Sequence, residues 1–316
     1  MPRTNLTAIT TEGAGGETRS HVRENRRSSL LGTWLQRLTA QRKSRRRGQQ
    51  RLAALHESDA VVVSYGKSGR TWLRAQLSSL YHQRYGVPES ELIDSGNFYR
   101  RDQRIPRILF THAGSREPWA PEQALTVIAD KKMLFLARDP RDVAVSLYYQ
   151  RAKRTSPEGR ARAGFADGTD GLPLFDFLVE HNGGAVLKVV RFLNEWNAIL
   201  PRLPGALRIT YEGMQAQPHA TLQRVVAHFD QPFTVEEIDH AIVFASFDSL
   251  RQKEQAGFFR SSKLRPGNPD DPQSFKVRRG KIGGWRDELT VTQAAEIDRI
   301  VERELVPLHL ARATQK

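Results

Sequence analysis

The sequence predicts an α/β fold: a three-layer α/β/α arrangement around a central, mostly parallel sheet, with a P-loop-like turn at the end of its first strand. Three observations lead there. Short, continuously apolar runs alternate with segments of helical periodicity, the pattern of strands buried on both faces. The residue following or closing each run is chemically unusual (Lys67, His112, Arg138 and Tyr211), as expected where ligands bind beyond the carboxyl ends of parallel strands. The first run, AVVVS, passes directly into a glycine-flanked lysine that opens a helical pattern.

In chain order, residues 1–50 form a basic N-terminal tail and residues 51–316 the folded domain. Residues 1–27 are polar, dotted with glycine and without sustained periodicity, so they are expected to be disordered. Leu30, Leu31, Trp34, Leu35 and Leu38 then recur at helical spacing, with Ser28 or Ser29 as N-cap and the basic run QRKSRRR behind them. Such an arm suits peripheral contact with an anionic membrane or with nucleic acid; the plainer reading docks its apolar stripe on its own domain. No nucleic-acid partner is expected.

The strands are predicted at 60–64, 108–111, 133–137 and 207–211, each a run of apolar and β-branched residues. Helical patterns lie between and after them at 71–81, 143–151, 186–200 and 219–229. Leu73, Leu77 and Leu80 mark the inward face of the first helix. In the last helix, Thr290 and Gln293 have capping-box spacing, and Ile297, Ile300, Val301 and Leu305 fall on one face.

Composition narrows the chemistry. The 316 residues, 39% hydrophobic, suffice for one large domain or two small ones. Cysteine is absent, which excludes disulfides, thiolate metal ligands and a cysteine nucleophile. The nine histidines show no HExxH-type spacing, so no metal is expected. Without a bilayer-length apolar run or an apolar leader segment, the expectation is a soluble, cytoplasmic protein. The formal net charge is +14, of which the first 50 residues carry +8.

The loop Tyr65-Gly66-Lys67-Ser68-Gly69-Arg70-Thr71 carries the first functional signal. Glycines let a backbone turn tightly and approach a ligand, and the first N–H groups of a helix lack intrahelical partners, so an oxyanion fits there. Lys67 adds a charge and Thr71 a hydroxyl. A Walker A loop would need a glycine at position 61, which is Val61 inside the strand. The cradle is therefore shorter than in an ordinary NTPase. Such an enzyme would also place a magnesium-binding acid after a neighbouring strand, where this chain has Arg138. Direct phosphate binding by protein groups follows.

The segment RDPRDVAVS, residues 138–146, supplies companions. Arg138 stands at a strand end, Asp142 is the expected N-cap of the next helix, and the hydroxyl of Ser146 is expected to face the same anion.

With these residues the sequence resembles the sulfotransferase family that uses 3′-phosphoadenosine 5′-phosphosulfate (PAPS). YGKSGRTW resembles that family's PKSGTTW loop for the 5′-phosphosulfate. RDPRDVAVS resembles its R-[ND]-P-[RK]-D-V-x-V-S segment for the 3′-phosphate, and VRRGKIGGW, residues 277–285, resembles its RKGxxGDW loop. Smaller matches agree: the FTH ending at His112 stands where the family has KTH, Tyr211-Glu212 where it has YED, and Ala245-Ser246-Phe247 where it has TSF.

The resemblance implies a role for each match. Lys67, Ser68, Gly69, Arg70 and Thr71 would contact the 5′ side of PAPS. Arg138, Ser146, Arg278, Arg279 and Gly280 would hold the 3′-phosphate, and Trp72, Tyr211 and Phe247 would border the adenine. His112 would be the general base, with Glu117 or Asp94 as substitutes. Lys67 would stabilise the leaving oxygen, and Ser146 would restrain Lys67 until acceptor arrives. The product would be 3′,5′-adenosine bisphosphate (PAP). Residues 251–286 hold ten Lys+Arg against three Asp+Glu, and their proline- and glycine-rich part, RPGNPDDPQS, has the composition of a lid.

Departures from the family are specific. Arg70 replaces the first threonine of the T-T pair, Phe110 the lysine two before the histidine, Ala245 the threonine of TSF, and Gly284 the aspartate of GDW. The dimerisation pattern KxxxTVxxxE is broken, with Arg286 for lysine and Ala295 for glutamate, so the oligomeric state is open. The expected partner is a small-molecule or glycan acceptor. The loops at 85–107 and 154–173 are polar and charged, favouring a carbohydrate or other polar hydroxyl over a steroid. Two alternatives stand beside this reading: a P-loop kinase or other ATP-dependent phosphotransferase, and a non-catalytic nucleotide- or membrane-binding protein.

Overall fold

The computed structural model describes residues 46, 48–93, 98–112, 121–155, 171–180 and 183–307. The chain divides into two units, 1–51 and 52–316, and the architecture below belongs to the second. The amphipathic pattern at 30–38 and the substitute bases Asp94 and Glu117 lie outside the described residues.

Four strands, β1 (Ala60–Ser64), β2 (Ile108–Thr111), β3 (Lys132–Ala137) and β4 (Leu207–Thr210), form one sheet in the order β2-β1-β3-β4. Every pairing is parallel, with Val62 opposite Phe110 and Leu134, and Leu136 opposite Ile209. All four carboxyl ends therefore open on the same edge, and β1 lies at its centre.

The strand residues alternate between two cores, because successive side chains of a strand point to opposite faces. Ala60, Val62, Leu134, Leu136 and Ile209 pack on one side. There they meet α1 (Arg70–Tyr85) through Leu73, Leu77 and Leu80, with α7 (Pro218–His228) and α8 (Val235–Phe244) beside it. Val61, Val63, Met133, Phe135 and Ala137 pack on the other, against α2 (Pro121–Ile128) and α5 (Ala185–Ile199). Phe135 stacks on Trp196 of α5 at 5.7 Å. Three layers result. A third cluster joins α3 (Pro140–Tyr149), α4 (Leu174–Val179), α5 and α10 (Val291–Glu304) around the fully buried Trp285.

The termini of these elements follow local chemistry. The capping box expected at Thr290 and Gln293 forms in full, and Ile297 and Val301 are buried behind it while Ile300 and Leu305 are partly so. β4 stops one residue before the sequence pattern suggests: Thr210 accepts from the Gly213 amide at 2.9 Å and caps α6 (Tyr211–Ala216), so Tyr211 opens a helix. The helix predicted from 143 begins at Pro140, whose fixed φ and absent N–H suit the first helical position. Its cap is Asp139, which accepts from the Arg141 amide at 2.8 Å.

Asp142, expected as that cap, is already inside the helix. Its carboxylate accepts from the backbone amides of Gly283 (2.8 Å) and Trp285 (3.1 Å), tying the GGW turn to α3. After Tyr149 the helix widens into a π turn, Gln150–Arg154, which re-aims its side chains; such turns recur at functional sites. Among the described residues no helix is long and apolar enough to cross a membrane.

Candidate active site

The loop between β1 and α1 bends through two left-handed residues, Lys67 (φ 74°) and Gly69 (φ 99°). A lysine in that region is uncommon and costs on the order of 1 kcal/mol, so the surrounding structure must impose it. Gly69 is required for a second reason. A Cβ there would lie 2.7 Å from the Tyr211 ring. The tight loop presents the first amides of α1 beyond the sheet edge, with no acidic residue in the first turn to fill the positive end of the helix.

Around this loop the structure gathers most of the residues named from the sequence. Arg138, at the end of β3, donates Nη1 to the Lys67 carbonyl oxygen (3.3 Å) and lies 3.9 Å over the Tyr211 ring. It is nearly buried, pairs with Asp142 at 3.8 Å, and has its Nε buried without a partner. Tyr211 also meets Trp72 edge-on at 5.3 Å, and Trp72 is fixed by a 2.8 Å bond to the Ala245 carbonyl. Ser68 is buried beneath the loop.

A second glycine–aromatic contact closes the far side. Gly280 (φ 62°) sits so near Phe247 that a Cβ would lie 2.4 Å from that ring, while its carbonyl accepts from Gln215 Nε2 at 3.1 Å. Phe247 leaves 40% of its surface exposed, a flat apolar face at the cleft rim. Arg278 lies 3.9 Å over Tyr149 and pairs with Glu288 at 2.5 Å. Arg279 pairs with Glu288 at 3.0 Å and with Asp287. Both arginines are thus held by carboxylates, Glu288 being shared between them.

His112 follows β2, next to Ser64 at the end of β1. Its Nδ1 lies 2.8 Å from the Ser64 carbonyl, which only accepts, so Nδ1 carries the proton and Nε2 the lone pair. Nε2 faces Arg70 Nη2 at 2.6 Å. Lys67 Nζ donates to Oε1 of Gln150 at 3.2 Å, one turn beyond Ser146, to which the resemblance assigns the restraint on this lysine.

The positive charges crowd one another. Burial depresses the Lys67 ammonium well below the ordinary lysine range, and Lys276, Arg154 and Arg138 depress it further. Burial and then Arg154 and Arg70 pull Lys276 down to about 7. The carboxylate among them is Glu254, fully buried, which accepts from the amides of Lys276 (2.8 Å) and Val277 (2.9 Å). The sequence pattern did not single out Gln150, Arg154, Glu254 or Lys276. Arg154 and Lys276 are members of basic runs with nothing to distinguish them, and Glu254 stands seven residues beyond Phe247, the nearest motif residue.

The RPGNPDDPQS segment folds on itself. Ser274 Oγ accepts from the Asn268 amide at 3.0 Å, and Asp271 caps a short 3-10 turn, Pro272–Ser274. Gly267 presses on the π turn so closely that a Cβ would lie 2.4 Å from the Lys153 carbonyl, and Lys153 pairs with Asp271 at 3.3 Å.

A parallel α/β sheet with open helix amides and a lysine at the tip of one strand, and a nearly buried arginine at the tip of its neighbour, has the form of a protein that binds a nucleotide through its phosphates. Buried unpartnered guanidinium nitrogen at Arg138 and a positive loop without resident carboxylates fit a multiply charged oxyanion ligand. The family model described as "Sulfotransferase domain" matches residues 57–308. The chain belongs to the sulfotransferase family. Relatives include cytosolic sulfotransferase 12 of Arabidopsis thaliana, 28% identical over 278 residues that span 78% of this chain and 77% of the relative. Sulfotransferase 1A1 of Canis lupus familiaris is 24% identical over 275 residues, spanning 81% and 86%. A crystal structure of mouse sulfotransferase SULT7A1 complexed with PAP matches with a TM-score of 0.49 and 18% identity over 78% of this chain and 84% of that one.

Of the readings open at the sequence level, family membership selects the PAPS-dependent sulfotransferase. Among the described residues no group of three His, Asp or Glu side chains is placed to hold a metal ion.

Proposed function

We propose that the chain transfers a sulfuryl group from PAPS to the hydroxyl of a polar acceptor, a carbohydrate or similar compound, with His112 as general base. The observation that supports this most is the orientation of His112. Ser64 fixes its tautomer so that the unprotonated Nε2 turns toward Arg70 of the loop that carries Lys67.

Lys67, the α1 amides beside Ser68 and Gly69, Arg70 and Thr71 would hold the 5′ end of the donor. Arg138, Arg278, Arg279 and Gly280, with Ser146, would hold the 3′-phosphate, and Trp72, Tyr211 and Phe247 would border the adenine, Phe247 offering its exposed face. The donor supplies SO₃ to the acceptor oxygen and departs as PAP. His112 Nε2 takes the hydroxyl proton as that oxygen attacks. Lys67 offers its charge to the oxygen that keeps the electron pair of the broken S–O bond. For Nε2 to reach the hydroxyl, Arg70 must swing from it toward the donor's oxygens, which couples donor binding to exposure of the base.

The basic arm of residues 1–50 is proposed to touch anionic membrane surfaces peripherally; loss of vesicle binding on its deletion would support that, and retention would refute it. The transferase reading is tested with radiolabelled PAPS against an acceptor library in EDTA. Labelled product that disappears in His112→Asn is expected; absence of transfer to every hydroxyl compound would refute it.

A further inference from the structure

The donor does not account for all the charge at this site. Arg154, on the π turn after α3, has a side chain only 7% exposed. Its Nη2 donates to the Arg265 carbonyl at 2.7 Å, and Nε and Nη1 are buried without a hydrogen-bond partner. The carboxylate it approaches, Glu254, stands 4.0 Å away with both oxygens already accepting backbone amides. Lys276 leaves that same pair of amides, and its side chain feels Arg154 and Arg70 as neighbours. Lys67 in turn feels Lys276 and Arg154. One carboxylate thus faces three cations.

A phosphate–sulfate anhydride carries one negative charge on each of its two groups, and Lys67, Arg70 and the helix amides match them. Arg154 and Lys276 remain over. A buried guanidinium with unsatisfied donors is expensive to maintain unless a ligand completes it. Position suggests which ligand. Arg70 lies against Nε2 of His112, and Lys276 has both Arg154 and Arg70 as charged neighbours. An acceptor that brings its hydroxyl to His112 would meet this group of cations through Arg70.

We propose that Arg154 and Lys276 form an anion subsite for the acceptor, so that the preferred substrate is a hydroxyl compound bearing a carboxylate, sulfate or phosphate ester near the hydroxyl that is sulfated. The proposal rests on the sulfotransferase reading with His112 as base, and it names what that reading leaves open. Two elements build the subsite. The π turn aims Arg154 inward, and the 267–274 loop, drawn against it by Gly267 and by the Lys153–Asp271 pair, brings the segment with Lys276 to the same place.

The test uses the full chain, wild type and Lys276→Met, with matched acceptors: glucose and glucuronate, N-acetylglucosamine and its 6-sulfate, phenol and 4-hydroxybenzoate. Calorimetry with PAP comes first, because a protein that does not bind PAP refutes the donor reading itself. With PAP bound, kcat/KM for the anionic member of a pair is expected to exceed that for the neutral one by about 10- to 100-fold, the worth of one or two charge-assisted hydrogen bonds. Lys276→Met should bring that ratio to about one while the KM for PAPS changes less than about twofold. Arg154→Gln should do the same where it folds; Lys276→Met carries the test alone otherwise, since Glu254 bonds the backbone of residue 276. Equal use of both members, failure of every pair to react, or a Lys276→Met variant whose KM for PAPS rises while both members fall alike would overturn the proposal.

Discussion

The guanidinium of Arg70 lies 2.6 Å from Nε2 of His112, on the nitrogen that the Ser64 carbonyl leaves bare. Arg70 belongs to the same loop as Lys67, so that loop is joined directly to His112. In the proposed mechanism one side chain therefore links the donor loop to the base.

His112→Asn keeps a side chain of similar reach but removes the base. Turnover should fall about 10²-fold or more, with PAP affinity changed by less than about threefold, measured by single-turnover kinetics and calorimetry. Equal turnover would remove His112 from the mechanism.

Gly280→Ala places a Cβ 2.4 Å from the Phe247 ring at a φ of 62°. Strain and overpacking together predict a loss of about 1–3 kcal/mol of stability and a PAP affinity lowered about tenfold or more, since the loop that carries Arg278 and Arg279 must shift. Denaturant unfolding and PAP titration of the variant check both.

Asp142→Ala should release the GGW turn from α3. Two amide bonds to a carboxylate that is only 3% exposed are lost together, a cost of about 2–5 kcal/mol, and Trp285 should become accessible to a fluorescence quencher. An unchanged unfolding midpoint would contradict the assignment.

Lys276 gives a pH dependence. Burial, Arg154 and Arg70 hold it at about 7 in the folded protein, below the 10.5 of an exposed lysine. Between pH 7 and 10.5 the unfolded chain binds more protons there than the native one, so this contribution to stability rises with pH across that window. It is present in full above 10.5 and is lost as pH falls to about 7. Lys276→Met should flatten the slope of unfolding free energy over the same range, as urea titrations at several pH values would show.

Much of the fold was legible because its strands are short, apolar on both faces and followed by helices, so periodicity located all four within a residue or so. Tyr211 was misplaced because Thr210, a β-branched residue that reads as strand, uses its hydroxyl to start a helix. Asp142 was misread as a cap for a related reason: Asp139 next to Pro140 is the stronger start signal, and only the folded chain shows Asp142 reaching residues 283 and 285. Motif spacing found the residues that touch phosphates in the family pattern. It could not find Arg154, Lys276 or Gln150, because a basic run carries no mark of which member turns inward, and a π turn has no signature that sequence periodicity detects.

Titration calorimetry of the full chain with PAP tests the central claim most directly, that a doubly phosphorylated adenosine lies across the strand tips. Saturable one-to-one binding is expected, with affinity falling as salt rises and with no comparable heat from adenosine. No heat with PAP, or equal heat from adenosine lacking both phosphates, would contradict it.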